Sequence, residues 1–133
     1  MSANNIRNKG AVTLASALKY NKSIKTLDLY LNDIGDQGAI KLAEALKINK
    51  SLVLLDLSAN NISDVGAIAL AEALKANTTL KEIDLAMNRI TDFGAKAIYD
   101  LLRIKPYIKV RLFNTNISDY WTTKIALISN SQK

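Results

Sequence analysis

Apolar and polar positions recur along this chain with a step of 28 residues. Within one step, residues 52–79 read LVLLDLSANNISDVGAIALAEALKANTT. The trio Leu55-Asp56-Leu57 alternates apolar and polar, which predicts a short strand with Leu55 and Leu57 facing inward and Asp56 and Ser58 outward. The same alternation recurs at Leu27 and Leu29, Ile83 and Leu85, and Val110 and Leu112. Further on, Ala67, Leu70, Ala71 and Leu74 fall at i, i+3, i+4 and i+7, the buried stripe of a helix. Ala39, Leu42, Ala43, Leu46 and Ala11, Leu14, Ala15, Leu18 repeat it. Each unit is therefore a strand, a turn, a helix and a return loop. Strands that recur across a helical crossover lie parallel in one sheet, and such crossovers are right-handed.

Other columns keep the same step. Asn32, Asn60 and Asn88 fall in the turns, where stacked amides would satisfy backbone groups of their own and the adjoining unit. Ile6, Ile34, Ile62 and Ile90 fold back into the core. Asp36, Asp64 and Asp92, with Asn8 in the first unit, are expected to cap the helices they begin. Gly10, Gly38, Gly66 and Gly94 fall in the first helical turn, where glycine is unfavourable unless a neighbouring unit approaches closely. Lys19, Lys47, Lys75 and Arg103 complement the negative helix ends, and Asn21, Asn49 and Asn77 read as left-handed residues just beyond them. The Asn-x-Ser/Thr triplets at Asn21, Asn49 and Asn77 recur because the loop recurs, and are read as turn chemistry.

The 133 residues make about 4.75 such units, read as a single domain spanning 1–133. The first unit is partial: it begins in a turn at Asn4-Asn5-Ile6, with a helix expected from about Lys9 to Tyr20. This open end predicts either a piece of a longer array or a first helix that serves as a crude cap, with weak self-association through it. The last unit is irregular. Val110 follows Ile83 by 27 residues, Thr115 takes the Asn column, and Trp121 takes the Gly column. A helix from about Ser118 to Asn130 is expected to tilt and close the array with Tyr120 and Trp121 as a lid.

The motif LxxLxLxxNxI-x-D-x-G-A-x-x-L-A-x-x-L, seen in Leu52–Leu70 and Leu80–Ile98, resembles the ribonuclease-inhibitor-type leucine-rich repeat. It is also similar to the repeat arrays of nucleotide-binding innate immune receptors and of the Ran GTPase-activating protein. Where ribonuclease inhibitor usually has a cysteine near the helix, this chain has Ala43 and Ala71. The resemblance implies an α/β fold: a right-handed β-α superhelix, or horseshoe segment, with about four parallel strands on the concave face and five helices on the convex face.

Composition narrows the function. There is no cysteine and no histidine, which removes disulfides, thiol nucleophiles, Ser-His-Asp triads and the commonest metal ligands. No cofactor, metal site or catalytic residue is expected, and the chain reads as non-enzymatic and cytoplasmic. The net charge is +6. Lys22, Lys25, Lys41, Lys47, Lys50, Lys75, Lys96 and Lys105 are nonetheless placed on helix outer faces or return loops, without interleaved aromatics. Neither nucleic acid nor a membrane is expected as partner.

An extended strand face suits a protein partner. Its outward columns are Asp28, Asp56, Asp84 and Arg111; Tyr30, Ser58, Ala86 and Phe113; and Thr26, Leu54, Glu82 and Lys109. The aspartates read either as a negative strip for a basic partner or as a family habit of LDLS in which solvent screens the repulsion. Tyr30 with Leu31, and Lys109, Arg111 and Phe113, are the more individual candidates for specificity. The leading reading is a protein-binding module acting through its concave β-face, alone or within a larger receptor, effector or regulator. The alternative is a regulator of a small GTPase like the Ran-specific activator, which would use Arg89 in the slot otherwise held by Asp33 and Asn61. A ribonuclease inhibitor would suit the aspartate strip, but this array is much shorter than that family's horseshoe.

Overall fold

Alternating strands and helices of the expected length fill a computed structural model, which describes residues 3–131. In chain order they are α1 (Arg7–Tyr20), β1 (Thr26–Asp28), α2 (Asp36–Leu46), β2 (Leu54–Asp56), α3 (Asp64–Ala76), β3 (Glu82–Asp84), α4 (Asp92–Ile104), β4 (Lys109–Arg111) and α5 (Asp119–Ser131). The four strands form one parallel sheet in the order β1-β2-β3-β4. Each helix packs on the next, from α1 through α5, as a second layer. The fold is thus the α/β array of repeats read from the sequence.

The core lies between the layers. Leu29, Leu55, Leu57, Ile83 and Leu85 supply the sheet side, and Ala39, Leu42, Leu46, Ala67, Leu70 and Leu74 the helix side, all buried. Ile34, Ile62 and Ile90 are fully buried beneath the turns. At the last strand Val110 and Leu112 are only half-buried. Backbone pairing runs past the three-residue strands: Leu29 N–H donates to Asp56 O, Leu31 to Ser58 O, Ala59 to Ala86 O and Met87 to Phe113 O.

The turn asparagines form the expected ladder. Asn60 Nδ2 donates to Leu29 O and Leu57 O, both at 3.0 Å, while its Oδ1 accepts from Asn32 N and Ile34 N. Asn88 repeats this one unit on, through Leu57 O, Leu85 O and Ile62 N. In the last unit Thr115 keeps one such bond, from Oγ1 to Leu112 O.

The aspartates at the helix starts act differently from the sequence reading. Asp64 does not cap α3, whose cap residue is Ser63. Its Oδ1 instead accepts from Thr91 N at 2.7 Å and Gly94 N at 3.0 Å, so it caps α4 of the following unit. Asp36 caps α3 in the same way through Ser63 N and Gly66 N, and Asn8 caps α2 through Gly35 N and Gly38 N. The physical reason is position: each Asp sits inside its own first turn, where its carboxylate projects sideways onto the adjacent helix start. This also explains the glycine column. A Cβ on Gly66 would lie 2.7 Å from Asp36 Oδ1, 2.8 Å from Ile62 Cγ2 and 3.0 Å from Ala39 Cβ.

The asparagines beyond the helices are a second correction. Asn21 and Asn77 are extended, with φ −73° and −72°, not left-handed. Asn49 Nδ2 donates to Leu18 O and Asn21 O, and Asn77 Nδ2 to Leu46 O and Asn49 O, so a buried amide closes the carbonyl end of the preceding helix. Lys105, in the same column, is not a solvated lysine: its Nζ donates to Leu74 O and Asn77 O. The left-handed residues are Ala3, Asn5 and Arg7 at the start of the array, and Leu31, Asp33, Ala59, Met87 and Asn114 in the strand-end turns.

At the C-terminal end, Trp121 packs half-buried against the core, edge to face with Tyr99 at 5.6 Å and Tyr120 at 5.2 Å. Tyr120 itself remains 61% exposed, so the lid is Trp121 together with Ile125.

Candidate functional site

The sheet face turned away from the helices carries the columns read from the sequence, in the predicted register. Thr26 pairs with Leu54, Leu54 with Glu82 and Glu82 with Lys109; Asp28, Asp56, Asp84 and Arg111 align likewise. Not every member is available to a partner. Ser58 and Ala86 are both 4% exposed, because the backbone tucks in after the strand and each follows a strand residue whose carboxylate binds it. Ser58 Oγ donates to Asp56 Oδ1 at 2.6 Å, and Ala86 N–H to Asp84 Oδ1 at 3.0 Å. Leu54, Asp56, Glu82 and Asp84 are half-buried, while Thr26, Asp28, Lys109 and Arg111 are exposed.

The aspartate column has a structural task. Asp28, Asp56 and Asp84 each accept, through Oδ1, from the N–H two residues on, at 3.0, 2.9 and 3.0 Å. These Asx turns hold the chain as it leaves the strand. Repulsion along the column is felt at Asp84: burial raises its carboxyl above the usual range, Asp56 and Glu82 add to that, and Ala86 N–H and Arg111 offset part of it. Arg111 ends the column in an ion pair with Glu82 at 2.8 Å, so the individual basic cluster of the last strand is partly neutralised.

What remains open is a rim at the strand ends. Tyr30 is 37% exposed and Phe113 70%, at opposite ends of the same column. Beside them run Leu31, 52% exposed, and Met87, 39%, both with left-handed backbone. A bulky side chain in that conformation is strained, and such residues concentrate at binding sites. Met87 was missed from the sequence; its position one residue past the Tyr30 column, where Leu31 and Ala59 stand, is the signal that would have found it. Arg89 is exposed in its turn, its N–H donating to Ile62 O, and Asn61 in the same slot donates to the Asp33 carboxylate. Among the described residues no His, Cys, Asp and Glu cluster has the makings of a metal site, and no helix is long and apolar enough to cross a membrane.

Residues 1–104 match the model of the TMOD/LMOD leucine-rich domain. The chain belongs to that family. Solved structures that share the fold include two. One, "Leiomodin-1 Actin-Binding Site 2 (ABS2)", is 24% identical, with a TM-score of 0.72 over 94% of this chain and 75% of that one. The other, the tropomodulin C-terminal domain of Caenorhabditis elegans, is 15% identical, with a TM-score of 0.75 over 98% and 81%. At these identities they speak for the fold alone. A comparison with curated sequences returned no match. The TMOD/LMOD family membership carries the leucine-rich repeat part of the resemblance drawn from the sequence.

Proposed function

We propose that this TMOD/LMOD domain is a non-enzymatic, cytoplasmic protein-binding module, and that its partner is actin, docked on the sheet face and its strand-end rim. The observation that carries the reading is the row of aligned strands whose side chains stand in columns, an extended surface. Strand spacing is narrower than helix width, so this face forms the inner wall of the array. Tyr30 and Phe113 are the aromatic anchors, Leu31 and Met87 the apolar filling between them, and Asp28, Lys109 and Thr26 the polar rim. Actin is chosen because a solved relative of the same fold is an actin-binding site.

The test is binding of monomeric actin to the intact chain, measured by fluorescence anisotropy, with Tyr30→Ala and Phe113→Ala combined. Exposed anchors at a binding centre are worth about 1–2 kcal/mol each, so the pair is expected to weaken binding by at least about tenfold. Both side chains are exposed, so the fold is retained. Unchanged affinity in the double variant removes the rim from the site, and no binding by the parent chain removes actin.

A further inference from the structure

A groove of about 710 Å³ opens where the end of α1 meets the loop after α2, lined by Lys19, Tyr20, Asn21, Lys22, Ile48 and Lys50. It lies at the carbonyl ends of the helices, apart from the sheet face. Its three ammonium groups form no ion pair among the described residues, although Lys19 lies in the last turn of α1, whose negative end it complements. The ion pairs among the described residues are Lys41–Glu44, Lys75–Glu72, Lys96–Asp100 and Arg111–Glu82, and none involves a groove lysine. Nor do these lysines close the helix end. The Asn49 amide and the Ser51 hydroxyl already bind Leu18 O and Asn21 O there. Lys105 shows the contrast, since its ammonium is bound to two backbone carbonyls.

The repeat frame shows that the charge thins along the array: three unpaired lysines line this groove, two (Lys47 and Lys50) hold the same positions one unit on, and none does two units on. The column of Lys19 continues as Lys47 and Lys75, which the helix end explains, and Lys75 is paired with Glu72. The column of Lys22 continues as Lys50, then Thr78 and Pro106. The equivalent groove between the third and fourth units therefore holds no unpaired lysine from either column. Between the ammonium groups, Tyr20 is 76% exposed and Ile48 48% exposed. Positive charge flanking an apolar floor is complementary to a chain that carries carboxylates beside an apolar side chain.

We infer that this groove is a second docking surface, for an acidic peptide segment of a partner protein. Lys19, Lys22 and Lys50 would meet its carboxylates, and Tyr20 and Ile48 its apolar anchor. It is independent of the sheet-face reading. The test uses the intact chain and a fluorescein-labelled peptide of Glu, Leu and Ser. One control peptide has Lys for Glu, and another has Ser for Leu. Binding is expected for the first alone, weakening as salt rises. Lys19→Glu, Lys22→Glu and Lys50→Glu combined should weaken it by about tenfold, each lost pair being a modest, exposed one. The corresponding Gln triple variant repeats the measurement if charge reversal disturbs folding, and Tyr20→Ser reports on the anchor. Amide shift changes should centre on 19–22 and 48–50. Peptide binding unaffected by these variants, shift changes on the sheet face, or no peptide binding at all would overturn the proposal. Capture of polyuridylate or phosphatidylserine vesicles in place of the peptide would also overturn it. Tyr30→Ala with Phe113→Ala leaves peptide binding intact, so failure here and failure of the actin reading are separable.

Discussion

Replacing Asp64 with Ala tests the capping of each helix by the unit before it. In the structure Asp64 Oδ1 accepts from Thr91 N at 2.7 Å and Gly94 N at 3.0 Å, and its second oxygen accepts from Thr91 Oγ1. Loss of an N-cap costs about 1 kcal/mol, within a range of roughly 0.5–2. Gly94 is buried, so its N–H is left without a partner, at about 1–3 kcal/mol. The two terms overlap, since the Gly94 bond is part of the cap. The expected total is about 2–3 kcal/mol, read as a shift of the urea midpoint. Asp64→Asn keeps an acceptor oxygen for the two backbone N–H groups but loses the charge at the helix start and the acceptor for Thr91 Oγ1, so about 1 kcal/mol is expected. The position of the damage is the sharper readout. In native-state amide exchange, Thr91 and Gly94 should lose protection beyond the global change, about tenfold for each 1.4 kcal/mol of local loss. Ser63 and Gly66, held by Asp36, should not. Selective loss of protection within the first turn of α3, with α4 unaffected, would mean that Asp64 caps its own helix and would refute the reasoning.

Three further outcomes follow from the same geometry. Gly66→Ala should destabilise by about 1–3 kcal/mol in thermal unfolding, although Ala is ordinarily the better helix former, because the added Cβ meets Asp36 Oδ1 at 2.7 Å. Asp84→Asn should stabilise at neutral pH by about 0.5 kcal/mol, a small gain because the site is partly exposed and screened. The folded carboxyl titrates above the unfolded one, so its ionised form costs stability, and the cost vanishes as pH falls through the folded value. The gain over the parent chain should therefore shrink on acidification, with the Ala86 N–H still accepted by the amide oxygen. Lys124→Met should weaken the seating of α5, because Lys124 Nζ lies 4.9 Å from the Tyr99 ring, 5.1 Å from Tyr120 and 5.3 Å from Trp121. At about 0.5–1 kcal/mol per exposed cation–aromatic contact the three would sum to about 1.5–3 kcal/mol, and because one ammonium is shared among the three rings a loss of about 1–2 kcal/mol is expected, and fluorescence of Trp121, the single tryptophan, reports it.

The fold was readable because its signal is redundant. Most core leucines, turn asparagines and helix-start glycines are repeated at a fixed step, so a misread position is corrected by its copies. Contacts between copies were less legible. A period shows that Asp36, Asp64 and Asp92 are equivalent, but not whether each serves its own helix or the next. That depends on a sideways direction that spacing does not encode. The same limit hid the inward turn of Lys105, which looks solvated until the carbonyls of Leu74 and Asn77 are seen beside it. In the site, the columns and their register came from periodicity, whereas the burial of Ser58 and Ala86 came from the chain's turn after each strand. The Met87 rim depends on a left-handed backbone at a residue with no preference for it.

Side chains cross every boundary in both directions. Asn60 and Asn88 reach back, taking N–H groups and carbonyls of the preceding unit. Asn49, Asn77 and Lys105 also reach back, closing the preceding helix. Asn8, Asp36 and Asp64 reach forward, capping the following one. A unit lifted from the array would lose a cap for its helix start, a donor for its helix end and an acceptor for its turn, all at once. Isolated units are therefore unstable, and stability resides in the interfaces, as in a one-dimensional stack. The consequence for recognition is that the sheet face is rigid along the array, since neighbouring strands cannot slide without breaking bonds of both directions. The rim residues Tyr30 and Phe113, three strands apart at about 4.8 Å per strand, are thus held at a fixed separation before any partner arrives.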